Sequence, residues 1–190
     1  MCAFFRKINL ELLLNPATLP SKGQTIQLVS SKVSECIAIK WQNDINTPEG
    51  RTPNSGNKLR TYRMFKEQFG VEQYVLSNMT RTDRSALAKF RCGTAPIRLE
   101  TGRYQQVPVD QRLCPFACAQ VESEAHIIID CPIYEDLRSD VWRAARAHEP
   151  LFDNLNSSHK LCTIMGIPDI RATGVLCKLI LKRRRCLLYN

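Results

Sequence analysis

No two aspartates stand side by side anywhere in this chain, and no aromatic-x-Asp-Asp turn occurs. A polymerase palm holds two metal ions on carboxylates of that kind, so two-metal nucleotidyl transfer has nothing here to run on. The scattered aspartates form no ribonuclease H cluster, and no His/Asp/Asn constellation of an endonuclease is present. Uncharged runs never approach the ~20 residues a bilayer span needs. The first apolar run, Cys2–Leu14, is broken by Arg6, Lys7 and Glu11 and lacks the uninterrupted core of a secretory signal. An intracellular setting, nuclear or cytoplasmic, is expected. In such a reducing compartment nine cysteines, an odd number, stay as thiols or bind metal instead of building a disulfide framework.

What the chain does have is a stretch of soft ligands. From Cys114 to Cys131 it reads CPFACAQVESEAHIIIDC, placing Cys114, Cys118, His126 and Cys131 with three, seven and four residues between them. Thiolates and imidazole are the ligands zinc prefers, and four of them close a tetrahedral structural site. The run Ile127-Ile128-Ile129 suggests a short buried helix or strand presenting the imidazole. Pro132 pushes Cys131 out of helical geometry and frees its thiol to turn back. Glu122 and Asp130, four residues either side of His126, are placed to orient its second nitrogen. The plainer alternative is that these cysteines are ordinary buried apolar residues. His148 and His159 lack any cysteine at ligand spacing.

The net charge of +9 is unevenly spread. Residues 57–103 hold ten basic and four acidic side chains (+6), and residues 151–190 hold seven and two (+5). Between them, residues 104–150 hold four and eight (−4), so two basic blocks flank an acidic metal-site segment. Such asymmetry points to a polyanion partner.

Periodicity and breakers predict a mainly helical chain. Phe4–Leu14 reads as a short helix and Ser31–Asn46 as a longer one. Thr47–Gly56, with two prolines and two glycines, reads as the linker that separates an N-terminal flank, 1–56, from the rest. Lys58–Phe69 reads as an amphipathic helix with Tyr62, Phe65 and Phe69 on one face and Gly70 as its C-cap. Thr82–Cys92 is the next helix, capped by Thr82 or Thr80 and ended by Gly93, with Ala86, Leu87 and Phe90 inward and Arg81, Arg84 and Arg91 gathered elsewhere. These two helices offer Lys58, Arg60, Arg63, Lys66, Arg81, Arg84, Lys89 and Arg91 as phosphate contacts; the alternative is a merely solvated face. Ile97–Tyr104 reads as a short strand or extended segment, and Tyr134–His148 as a helix with Leu137, Val141, Trp142 and Ala145 inward. Leu161–Ile167 and Ile170–Leu188 complete a C-terminal helical region, 149–190, after a central module, 57–148. The last helix turns Ala172, Val175, Leu176, Leu179 and Ile180 to the core and ends in Lys182-Arg183-Arg184-Arg185, a run open to three readings, a nuclear-import signal, a phosphate contact or, by default, a solvated helix end.

Three strings, NKLRTYRMFKEQFG, SALAKFRCGTAPIRLETGRY and RLCPFACAQVESEAHIIIDCPIYEDLR, occur in an order that resembles the C-terminal region of LINE-type (non-LTR) retrotransposon reverse transcriptases, beyond the polymerase domain. The resemblance covers roughly residues 41–138, with a weaker echo in the tail; residues 1–30 match nothing in it, and the Lys182–Arg185 block is unusual there. It implies that Cys114, Cys118, His126 and Cys131 are the ligands of a Cys-Cys-His-Cys zinc motif. The expectation is therefore a small, mainly α domain with a short irregular or β segment and a zinc-knuckle-like site. It would bind RNA or DNA through the phosphate backbone, with a reverse transcriptase catalytic domain as a second expected partner, as a carboxy-terminal piece with no membrane role and no catalysis of its own. The rival is a zinc-held protein-interaction module, and the third class, a thiol hydrolase, would need His126 as base where it is better used as ligand.

Overall fold

The structure, a computed structural model, describes residues 20–46, 59–66 and 69–189. The expected helix Phe4–Leu14, the Thr47–Gly56 linker and Lys58 lie outside these residues. The chain divides into two compact units, Met1–Thr47 and Pro48–Asn190. In the first, the described residues form one helix, α1, spanning Lys22–Asn46 and starting nine residues earlier than Ser31. Its beginning is a local turn in which Ser21 Oγ accepts from the Gln24 amide while Gln24 Oε1 accepts from the Ser21 amide, the reciprocal arrangement of a capping box.

The second unit is built from α2 (Gln73–Leu76), α3 (Arg81–Arg91), α4 (Arg98–Tyr104), α5 (Ser139–His148), α6 (Ser157–Gly166) and α7 (Arg171–Tyr189), joined by short 3-10 turns. Among the described residues the only β pairing is an isolated antiparallel bridge between Leu113 and Val121. The mainly helical class therefore holds.

Helix α3 starts one residue before the expected Thr82, and of the two candidate threonines Thr80 is its cap. Thr80 Oγ1 accepts from the Asp83 amide at 3.2 Å and donates to the Asp83 carboxylate at 2.6 Å. It stops at Gly93, whose φ of +62° only glycine adopts cheaply, while the Thr94 amide reaches back to the Lys89 carbonyl. Leu87 and Phe90 point inward as expected and are fully buried. Helix α7 lies along α3, and Gly174 leaves room there for the Met79 thioether. Phe152, Leu161, Ile164 and Leu176, all from beyond residue 149, share one core with Leu87, Ile97, Ile127 and Tyr134.

Four expectations need correction. Lys58–Phe69 is not a continuous helix where it is described: only Tyr62–Met64 forms a 3-10 turn, and Phe69 is half exposed. Side chains of this segment are drawn to tertiary partners, Arg60 to Glu124 and Tyr62 to Glu72, and local propensity yields to them. Arg98–Tyr104 is helical, not a strand or extended segment; only Ile97 before it is extended, and Glu100 and Arg103 pair one turn apart. Tyr134–His148 is split into a 3-10 turn, Pro132–Leu137, and α5. On α7 the inward face is rotated: Thr173, Leu176, Cys177, Ile180 and Arg184 are buried, while Val175 is exposed.

Candidate functional site

Three pieces of local structure build the cysteine–histidine site. The Cys114 amide donates to the Gln120 carbonyl and the Glu122 amide to the Arg112 carbonyl, closing a small hairpin-like loop around the Leu113–Val121 bridge. At its tip Ala117 and Ala119 both take left-handed backbone, with φ of +60° and +52°, on either side of Cys118. That conformation costs an alanine about 1–2 kcal/mol, and here it turns Cys118 back toward the chain. The third piece is a single π-helical turn, His126–Asp130, closed by the Cys131 amide donating to the His126 carbonyl at 2.7 Å. An i to i+5 closure sets residue 131 over residue 126, where an α-helix would place them about 140° apart. The chain leaves helical geometry at Cys131, as Pro132 requires.

Cys114, Cys118, His126 and Cys131 thereby come together, their ligand atoms all within 4.8 Å of one another. The Cys118 and Cys131 sulfurs are 3.7 Å apart. This is close to the ~3.8 Å edge of a tetrahedron with 2.3 Å zinc–sulfur bonds, and far beyond a disulfide. Hydrogen bonding around the histidine fits a metal too. Nδ1 of His126 lies 2.9 Å from Gln120 Oε1, an acceptor, so Nδ1 carries the proton and Nε2 keeps its lone pair. Nε2 is buried and has no hydrogen-bond partner. A buried imidazole nitrogen left without a partner, beside three thiols, is placed to take a metal ion. Burial pushes the Cys114 thiol up to about 12 and raises that of Cys131, and it lowers the His126 imidazole. A bound cation must displace thiol protons.

The group that orients His126 is Gln120, which the sequence reading missed; nothing in its spacing distinguishes it. Glu122 and Asp130, expected in that role, are used elsewhere. Glu122, fully buried, accepts two hydrogen bonds from Arg184, each 2.9 Å, and one from the Arg98 amide. Asp130 accepts from the Ser157 hydroxyl at 2.7 Å. Arg138 is a second support the sequence did not mark. Buried behind the π turn, it donates to the carbonyls of Ile127, Ile128 and Cys131, capping a turn whose last acceptors would otherwise be orphaned.

The basic side chains expected to meet phosphates divide sharply. Arg91 is buried, donates to Glu72 and the Met165 carbonyl, and stacks on Phe65 at 4.1 Å. Arg60 pairs with the buried Glu124 at 2.6 Å, Arg84 donates to the carbonyls of Ser77 and Met79, and Lys66 pairs with Glu72. These four are engaged within the fold: the helix that turned Arg60 outward does not form, and the side of α3 bearing Arg84 and Arg91 meets Ser77, Met79, Glu72 and Met165 instead of solvent. Arg63, Arg81 and Lys89 stay exposed.

The C-terminal basic run is also not a uniform solvated end. Arg183 pairs with Asp136, and Arg184 is the buried partner of Glu122. Lys182 and Arg185 instead face a groove of about 730 Å³ between α3 and α7, into which Arg81 and Lys89 also project. Trp142, read as core, is half buried and meets Phe152 edge to face at 6.1 Å. No helix among the described residues is long and apolar enough to cross a membrane. No family model, curated protein or solved structure matches this chain.

Proposed function

We propose that this chain is a zinc-held, non-catalytic nucleic-acid-binding module, equivalent to the region beyond the polymerase domain of a LINE-type reverse transcriptase. The observation that carries the metal half is the buried tetrad with an unpartnered His126 Nε2. Three sulfurs and one nitrogen leave no open coordination position, which is the arrangement of a structural and not a catalytic zinc. Cys114, Cys118, His126 and Cys131 hold the ion, Gln120 fixes the imidazole, and Arg138 holds the π turn that presents two of the ligands. The order of the three sequence strings and the +9 net charge support the nucleic-acid half.

A second reading has its own support: Arg60, Lys66, Arg84 and Arg91 are engaged within the fold, which favours a protein-interaction module held by the same metal. One preparation separates the two. Purified protein should contain one zinc per chain, and it should bind oligonucleotides with an affinity whose logarithm falls linearly with log salt. Zinc without salt-dependent oligonucleotide binding favours the interaction module; absence of zinc from protein purified under reducing conditions removes both readings. Primer extension by the chain, lost on changing its aspartates, would overturn the non-catalytic assignment.

A further inference from the structure

We propose that the groove between α3 and α7 seats a single-stranded nucleic acid, with phosphates along its cationic rim and a base on Tyr189. This rests on the nucleic-acid reading above and gives it a place and a strandedness. Six cations line the groove and no carboxylate does. Two of them are already neutralised, Lys178 by Asp83 and Arg184 by Glu122. The other four, Arg81, Lys89, Lys182 and Arg185, are exposed and pair with no carboxylate among the described residues. Four unneutralised cations facing one cleft concentrate positive potential there, and a polyanion relieves their mutual repulsion.

The floor decides which polyanion. It is apolar, formed by Ala86 of α3 and Leu181 of α7, and at its end stands Tyr189, 79% exposed. A duplex presents phosphates to such a cleft and keeps its base faces stacked inside, so that floor and tyrosine would go unused. A single strand offers both, with charge for the rim and a flat π face for an aromatic ring. A membrane surface fits poorly, because the apolar atoms lie recessed between two helices and the charges stand outside them. The sequence hid this site by splitting it: Arg81 and Lys89 lie about 100 residues from Lys182 and Arg185, and only the packing of α7 along α3 brings them to one cleft.

The test is fluorescence anisotropy on the full chain, with labelled twelve-nucleotide oligo-dT and oligo-U and a duplex of equal length. Four phosphate contacts give a log–log salt slope of roughly −2.8, or about a 50-fold loss of single-strand affinity between 50 and 200 mM salt. Changing Arg81, Lys89, Lys182 and Arg185 together to Gln should cut that dependence to below about fivefold. A control that removes equal charge elsewhere, Arg98, Arg143, Arg146 and Arg171 to Gln, should keep it. Tyr189→Ala should weaken single-strand binding at least about fivefold with the salt slope unchanged. Preference for DNA or RNA identifies which single strand is taken, and either supports the site. Duplex binding as tight as single-strand binding, competition by polyglutamate at equal charge, or wild-type behaviour of the groove variant would each overturn it. If the groove variant binds like wild type, only this site fails; if no oligonucleotide binds at all, the nucleic-acid reading fails with it.

Discussion

At the scale of single residues, the side chains that matter most are those supporting the ligands. Gln120 holds the His126 ring by one hydrogen bond, so Gln120→Ala should leave the metal site assembled but weaker. Loss of such a supporting contact typically costs 10–100-fold in metal affinity, and competition with a chromophoric zinc chelator would measure it. An unchanged affinity would mean that packing alone fixes the imidazole. Gly102 carries a comparable hidden constraint. A Cβ there would lie 2.8–3.0 Å from the stem of the buried Arg112, which is itself held by hydrogen bonds to the carbonyls of Val107 and Leu99. Gly102→Ala should therefore destabilise by about 1–3 kcal/mol in urea unfolding, although alanine is the better helix former. Arg112 also accepts the Glu122 amide through its carbonyl, so this strain would be passed to the metal loop.

At the scale of elements, the contact between α3 and α7 carries a titratable pin. The Lys178 ammonium, 2.5 Å from the Asp83 carboxylate, and the Thr80 hydroxyl hold Asp83 below the usual carboxylate range. A carboxyl depressed in the folded state contributes its full stability above its unfolded pKa of about 3.9 and loses it as pH falls through the lower, folded value. Thermal melts of wild type and Asp83→Asn should therefore differ at pH 7 and converge toward pH 3. Because Lys178 is two-fifths exposed, the pair is worth about 1 kcal/mol. For a chain of this length that is about 2–4 °C in Tm. A difference that persists undiminished at pH 3 would assign the effect to the helix cap instead of the charge.

At the scale of the whole molecule, the metal loop and the C-terminal helix are fastened together by the buried Glu122–Arg184 pair. Removing one member of a buried pair strands the other charge, so Arg184→Ala should cost about 3–5 kcal/mol. Its neighbour Arg185 is exposed, and Arg185→Ala should stay within about 0.5 kcal/mol. Urea midpoints of the two variants check this; equal effects would mean the basic run acts only as a surface. The same link predicts that metal loss does not stop at the loop. Structural zinc contributes on the order of 10–16 kcal/mol in small peptides, against about 5–15 kcal/mol of net stability for a domain. Chelation should thus lower helicity by circular dichroism beyond what the loop alone contains, with α7 and α3 loosening after it. Cys131→Ser should do the same and abolish zinc binding, whereas Cys36→Ser, at an exposed position, should not.

The sequence by itself determined the mainly helical class, the place of α3 to within a residue at each end, and the four members of the tetrad. These follow from local rules: a threonine cap with Asp83 three residues on, a glycine stop at Gly93, and soft ligands clustered within eighteen residues. Only the tertiary structure decided which basic residues are surface and which are struts. Arg63 and Arg91 look alike in the sequence, yet one is exposed and the other lies between Glu72 and Phe65. A charge's role depends on what a distant segment places opposite it, and local periodicity carries no record of that partner. The same holds for Gln120 on His126, for Arg184 on Glu122, and for a groove whose two walls are about 100 residues apart in the chain.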